Sequence, residues 1–193
     1  MKTVTLILTG SIAAYKSLEL IRLLRQAGVV VQPVLTAGAK QFVTPLAVAS
    51  LAEHAVYDDL FSLKDETEMG HIRLSRTADV VMVAPASADF LAKMAMGMAD
   101  DLASSLVLAS SAPVWVAPAM NVRMWEHPAT QRNIMQLKED GVQVYMPEPG
   151  ALACAEVGTG RMVEPDTLAK AVLRGCAADA GSSDAATPTE NMP

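Results

Sequence analysis

The residues of this chain with the means to do chemistry fall in a few short stretches. Val114–Trp125 reads Val-Trp-Val-Ala-Pro-Ala-Met-Asn-Val-Arg-Met-Trp. It opens as a strand buried on both faces, which shows as a near-continuous apolar run. It then breaks at Pro118 and delivers Asn121 beside Met120 and Met124. In open parallel sheets ligands collect just beyond the carboxyl ends of the strands, and Asn121 stands there with an uncharged amide. The same residue type also caps helices by accepting from the N2 or N3 amide, and the local sequence alone favours the cap. His71 follows Gly70 on a loop entering a helix. Imidazole exchanges protons near neutrality, which makes His71 a candidate acid/base, although alone it reads as readily as a packed or solvated side chain. Cys154 sits in Gly150–Met162, followed by Gly158, Gly160 and Arg161. The glycines permit a flexible flap, and Arg161 is suited to pairing with an anion or clamping the flap shut. A lid carrying one thiol could exclude water and donate a proton; the plainer reading is a surface loop with an inert cysteine.

Two further turns could hold a ligand. Gly10-Ser11-Ile12 lies between a strand and a helix, where free amides, the helix dipole and a hydroxyl make an anion site suited to a mononucleotide phosphate. It is neither a Gly-x-Gly-x-x-Gly fingerprint nor a Walker loop. Thr36, ending the second strand, lies at the same edge. Pro85-Ala86-Ser87-Ala88-Asp89 occupies the matching turn after the next strong strand. Its small residues leave room for a flat ring, and Ser87 or Asp89 also serves as a helix N-cap. No pair among His54, His71 and His127 has metal-ligand spacing, so no metal site is expected.

The elements that would position these residues alternate. Strands are expected at Val4–Thr9, Val29–Leu35, Asp79–Ala84, Val114–Ala117 and Val142–Met146. Helices are expected at Ile12–Ala27, over 39–52 with a break near Pro45, from Gly70 to Arg76, through Met94, Met96 and Met98, over Asp100–Ser111, over Pro128–Asp140 and over Asp166–Ala178. The first helix sets Ile12, Leu20, Leu23 and Leu24 as apolar positions and Lys16, Glu19, Arg22 and Arg25 as charged ones. Such alternation predicts an α/β class, a doubly wound, Rossmann- or flavodoxin-like parallel sheet with helices on both faces. The methionines of the Met94–Met98 run read as packing or subunit contact. Residues 1–176 form the expected domain, and 177–193, rich in Ala, Ser, Asp, Thr and Pro, read as a disordered tail or linker.

The totals narrow the function. A formal charge of −6 argues against a nucleic-acid binder, and no apolar run approaches the roughly 18 residues of a membrane span. A hydrophobic fraction of 51% without a span favours subunit contacts. The two cysteines, Cys154 and Cys176, lack ligand-like spacing and fit a reducing cytoplasm.

Gly10-Ser11-Ile12-Ala13-Ala14-Tyr15-Lys16, Gly70-His71, Pro85-Ala86-Ser87-Ala88, Pro118-Ala119-Met120-Asn121-x-x-Met124 and Ala153-Cys154 with Gly158-x-Gly160-Arg161-Met162 together resemble the homo-oligomeric flavin-containing cysteine decarboxylases. Among them the likeness is to the bacterial phosphopantothenoylcysteine decarboxylase branch, over about residues 4–170. The resemblance implies bound FMN, with its phosphate near Gly10, Ser11, Ile12 and Thr36 and further contacts from Ser87, Ala88, Asp89, Phe90 and Ala119. It implies His71 as base, Asn121 on the substrate carboxylate, Met124, Ala153 and Arg161 at the substrate, and Cys154 as a late proton donor. The implied reaction turns 4′-phosphopantothenoylcysteine into 4′-phosphopantetheine, in a cytoplasmic homotrimer or dodecamer of trimers, possible fusion to a synthetase domain included. Ala155 stands where this family usually has Gly, which would stiffen the flap. Decarboxylation of a peptide's C-terminal cysteine, prenylation of FMN and a non-catalytic flavin-binding subunit are the alternatives.

Overall fold

Val, Leu and Ile alternate between the two faces of strand β1 (Thr3–Leu8), and that alternation organises the chain. Val4, Leu6 and Leu8 belong to one hydrophobic cluster and Ile7 to another on the opposite face. In the computed structural model, residues 2–60, 70–153 and 156–180 are described, with backbone alone for 70–73 and 176–180. Strands β1, β2 (Val30–Leu35), β3 (Val80–Ala86), β4 (Val114–Pro118) and β5 (Gln143–Val144) form one sheet in the order β2-β1-β3-β4-β5, every pair parallel. That order is the flavodoxin-like one expected from the alternation, and its direction reverses between β1 and β3.

Helices α1 (Ala14–Gln26), α2 (Pro45–Ala52) and α8 (Pro165–Ala180) cover the face that carries Leu6, Leu8 and Met82. The other face is covered by α3 (Gly70–Thr77), α4 (Ala88–Ala95), α5 (Leu102–Ala109), α6 (Val122–Glu126) and α7 (Pro128–Glu139). Local chemistry sets several ends. Gly28, at φ +78°, closes α1 in the left-handed region. The expected break near Pro45 falls at the first residue of α2, where the missing N–H costs nothing and Thr44 Oγ1 accepts from Ala47 N at 3.1 Å. Pro33 is tolerated because β2 is an edge strand. Its carbonyl faces outward and accepts from Tyr57 N, so its absent N–H is missed on the side away from β1.

The structure departs from the sequence expectations in several places. Helix α4 stops at Ala95, and Gly97 turns left-handed at φ +65°, so Met96 and Met98 lie beyond the helix. Met96 is 75% exposed and packs nothing within the chain's core. Strand β5 keeps only Gln143 and Val144 of the run expected to reach Met146. Ile12, expected as an apolar position of the first helix, precedes α1 in an exposed turn, and Lys16, one of its charged positions, is buried. The segment around the flap is an antiparallel ribbon, β6 (Glu148–Ala151) with β7 (Val157–Arg161), rather than a loop. The backbone of α8 continues to Ala180, and the remainder of the expected tail, 181–193, lies outside the described residues. No helix among the described residues is long and apolar enough to cross a membrane.

Candidate active site

Strands β1, β3 and β4 all point their carboxyl ends at one edge of the sheet, at the switch point between β1 and β3. Thr9 ties the first two together there. Its buried Oγ1 donates to Pro85 O at 2.6 Å and accepts from Ser87 N at 2.9 Å. Gly10 then passes against Gly38, where a Cβ on Gly10 would lie 3.2 Å from the Gly38 Cα, so the two turns meet backbone to backbone. Helix α1 starts immediately after with no side-chain cap at Ala13. Ala13 N turns to Ser11 Oγ at 3.3 Å, Ala14 N to Ser11 O at 3.0 Å and Lys16 N to Ala13 O at 2.9 Å, so what the start of α1 offers an anion is chiefly the positive end of its dipole. Ser87 caps α4 by accepting from Phe90 N at 3.3 Å, and it lines the same pocket as Ser11 and Ala88. That pocket holds about 390 Å³, within the range of small-molecule sites.

Asn121 enters from the end of β4. Its Oδ1 accepts from Met124 N at 2.8 Å and caps α6, and the same residue lines the pocket. Capping and ligand contact are thus compatible. The cap occupies the oxygen, which leaves the Nδ2 donors of the amide for a ligand acceptor.

The opposite wall is the β6–β7 ribbon. Gly160 presses on the loop before Asn121, because a Cβ there would fall 2.3 Å from Met120 O, and Gly158 does the same against Val122 at 2.8 Å. These glycines permit close approach, not the looseness read from the sequence. Arg161 lines the pocket and its Nη2 donates to Glu164 Oε1 at 3.1 Å. Lys16 also lines it, with Nζ donating to Met162 O at 2.9 Å and to Glu164 Oε1 at 2.7 Å. The Lys16 hydrogen bond, reinforced by the charges of Lys16 and Arg161, holds the Glu164 carboxyl below its usual range.

Of the expected site residues, Gly10, Ser11, Ile12, Ser87, Ala88, Ala119, Asn121, Met124, Ala153 and Arg161 converge on this one pocket. Thr36 lies behind it, with Oγ1 accepting from Ala39 N at 3.2 Å next to the Gly10–Gly38 contact. Asp89 and Phe90 do not line it. Asp89 is 79% exposed in the first turn of α4, near Lys93. Phe90 is buried in the core under α4 because its place in the helix turns the ring toward the sheet. The backbone of His71 opens α3, and its side chain lies outside what is described, as does Cys154. No group of three or more metal-ligating side chains occurs among the described residues.

Thr9, Lys16 and Glu164 escaped the sequence reading. Lys16 had a signal: it lies four and eight residues before Leu20 and Leu24, on the buried stripe of α1. A cation on that stripe needs a partner, but the partner, Glu164, is 148 residues away.

The Flavoprotein family description matches residues 1–176. The chain belongs to the flavoprotein family. It is 47% identical over 161 residues to the coenzyme A biosynthesis bifunctional protein CoaBC of Haemophilus influenzae, which covers 83% of this chain and 40% of that protein. The chain thus spans about 40% of the length of that relative. Among solved structures it resembles a cysteine-to-serine mutant of PPC decarboxylase complexed with pantothenoylaminoethenethiol, at TM-score 0.83 and 32% identity, covering 91% of this chain and 98% of that one. It also resembles the FMN binding protein AtHal3, at TM-score 0.81 and 33% identity, over 92% of this chain and 97% of that one.

The pocket of this flavoprotein fits a flavin mononucleotide. The closely built Gly10–Gly38 turn, the Ser11 hydroxyl and the positive end of the α1 dipole suit a phosphate, and Ala88 and Ala119 leave flat space beside it.

Proposed function

We propose that this flavoprotein is an FMN-dependent decarboxylase that converts 4′-phosphopantothenoylcysteine to 4′-phosphopantetheine in coenzyme A biosynthesis. The convergence of Asn121, the start of α1 and the ribbon bearing Ala153 and Arg161 on one pocket carries this reading. When bound, FMN supplies the reversible electron sink without which an α-amido acid would lose carbon dioxide to an unstabilised carbanion.

The chain's own residues do the rest. Gly10, Ser11, Ile12 and Thr36 hold the phosphate of the cofactor, and Ser87, Ala88 and Ala119 bound its ring. Asn121 holds the substrate carboxylate through Nδ2, its orientation fixed by the cap on Met124 N. His71, in the first turn of α3, is the base. Cys154, next to the pocket-lining Ala153, returns a proton to the decarboxylated enethiolate. Met124 and the ribbon exclude water from the reacting atoms. The protein works in the cytoplasm as a homotrimer or a dodecamer of trimers, beside or fused to a synthetase domain as in its bifunctional relatives. Exposed Met96, Met98, Leu46 and Met135 support the association.

The test is direct. Purified protein should be yellow and release carbon dioxide from 4′-phosphopantothenoylcysteine with 4′-phosphopantetheine as product. A colourless protein, or turnover of a peptide ending in cysteine but not of this substrate, would overturn the reading. An active monomer in sedimentation at micromolar concentration would overturn the oligomeric part.

A further inference from the structure

Glu164 is used twice on the wall of the pocket. The Lys16 side chain, only 9% exposed, reaches from the first turn of α1 across to Met162 O and Glu164 Oε1. The same Oε1 accepts from Arg161 Nη2. On its other side the Arg161 side chain crosses Gly150, where a Cβ would stand 2.6 Å from Nη1 and 2.9 Å from Cδ. The guanidinium is therefore confined between the bare Cα of Gly150 and the Glu164 carboxylate while it lines the pocket.

Stability accounts for the contact of Glu164 with buried Lys16 but not for its contact with Arg161. Arg161 is 38% and Glu164 46% exposed, and an ion pair between two such groups adds little to stability. Geometry does account for it. A long, flexible arginine that must be ordered when a ligand arrives loses affinity to side-chain entropy, and a carboxylate that orders it beforehand removes that cost. Lys16, in the first turn of α1, fixes Glu164 in turn.

We propose that Glu164 is a positioning residue: it holds Arg161 pre-oriented to receive an oxyanion of the substrate. The inference rests on the proposed decarboxylase function. The oxyanion is a carboxylate or a phosphate, and substrates with and without the phosphate tell them apart.

The experiment compares wild type with Glu164→Gln, Arg161→Met and the double variant on 4′-phosphopantothenoylcysteine and on pantothenoylcysteine, with FMN content measured alongside. Glu164→Gln is expected to bind FMN at wild-type stoichiometry and to raise KM about tenfold with kcat changed less than about threefold, since pre-organisation acts on binding. In the Arg161→Met background the same substitution should leave KM unchanged, because residues acting through one contact are not additive. Glu164→Asp should restore part of the affinity. A KM penalty confined to the phosphorylated substrate identifies the phosphate; a penalty on both identifies the carboxylate. Independent effects in the double variant, a fall in kcat at constant KM, or loss of FMN would each overturn the proposal. If Glu164→Gln does not fold, Arg161→Lys carries the test: it keeps the charge without the planar fork, and an unchanged KM would overturn the proposal. A wild-type protein inactive on both substrates overturns the functional reading and this inference with it, whereas active wild type with additive variants overturns the inference alone.

Discussion

Met120 and Gly160 meet backbone to backbone. Met120 N donates to Gly160 O at 3.1 Å, and a Cβ on residue 160 would lie 2.3 Å from Met120 O. This contact joins the β6–β7 ribbon to the loop that presents Asn121. Gly160→Ala must push that backbone apart, since a carbonyl oxygen cannot yield as the tip of a side chain can. Overpacking of this kind costs about 1–3 kcal/mol. Calorimetry should show a Tm lower by several degrees, and kcat/KM should fall at least about tenfold with FMN retained, as displaced catalytic groups lose alignment.

Asn121 carries two roles that substitution separates. Asp at this position accepts from Met124 N as well as Asn does, so Asn121→Asp should keep α6 and the thermal stability of the wild type. It replaces the Nδ2 donors with a charge facing the substrate carboxylate. At about 4 Å and an effective dielectric near 20 that repulsion is on the order of 4 kcal/mol, so turnover should fall about a thousandfold. Asn121→Ala should lose activity and also about 1 kcal/mol of stability from the missing cap. Wild-type turnover by Asn121→Asp would leave Asn121 as a cap alone.

Acid should loosen the ribbon through Glu164. The Lys16 hydrogen bond, and then the Lys16 and Arg161 charges, depress its carboxyl. A group whose folded value lies below its unfolded value, about 4.3 for Glu, stabilises the fold above that unfolded value. The contribution is lost as pH falls through the depressed folded value. Urea unfolding at pH 7 and near pH 3 should show a larger acid loss for wild type than for Glu164→Gln. Equal losses would mean that Glu164 does not contribute through its charge.

His71 and Cys154 should fail at different stages. His71→Asn should bind FMN and release no carbon dioxide. Cys154→Ser should release carbon dioxide in a single turnover and yield an enethiol product, because a hydroxyl is a much weaker acid than a thiol. Product mass and evolved carbon dioxide distinguish the two. Normal 4′-phosphopantetheine formation by Cys154→Ser would remove the thiol as proton donor.

The sequence by itself determined the class of fold and most of one pocket. Short, β-branched apolar runs such as Val80–Ala84 read as buried strands, and a parallel sheet sends its ligands to the strands' carboxyl ends, so Gly10-Ser11, Ser87-Ala88 and Ala119–Asn121 fall at one edge. Those signals are local: period, turn residue and cap lie within a few positions of each other. Only the tertiary structure decided what depends on distant approach. Gly158 and Gly160 read as hinges until Val122 and Met120 O are seen against them. Lys16 was only a charged position of the first helix until Glu164, 148 residues on, appeared at its ammonium. Phe90 shares a motif with Ser87, yet helical rotation turns its ring into the core and leaves only the Ser87 side of the turn at the pocket. A buried charge or a bare Cα gains its meaning from the atom across from it, and that atom is chosen by packing rather than by neighbours in the chain.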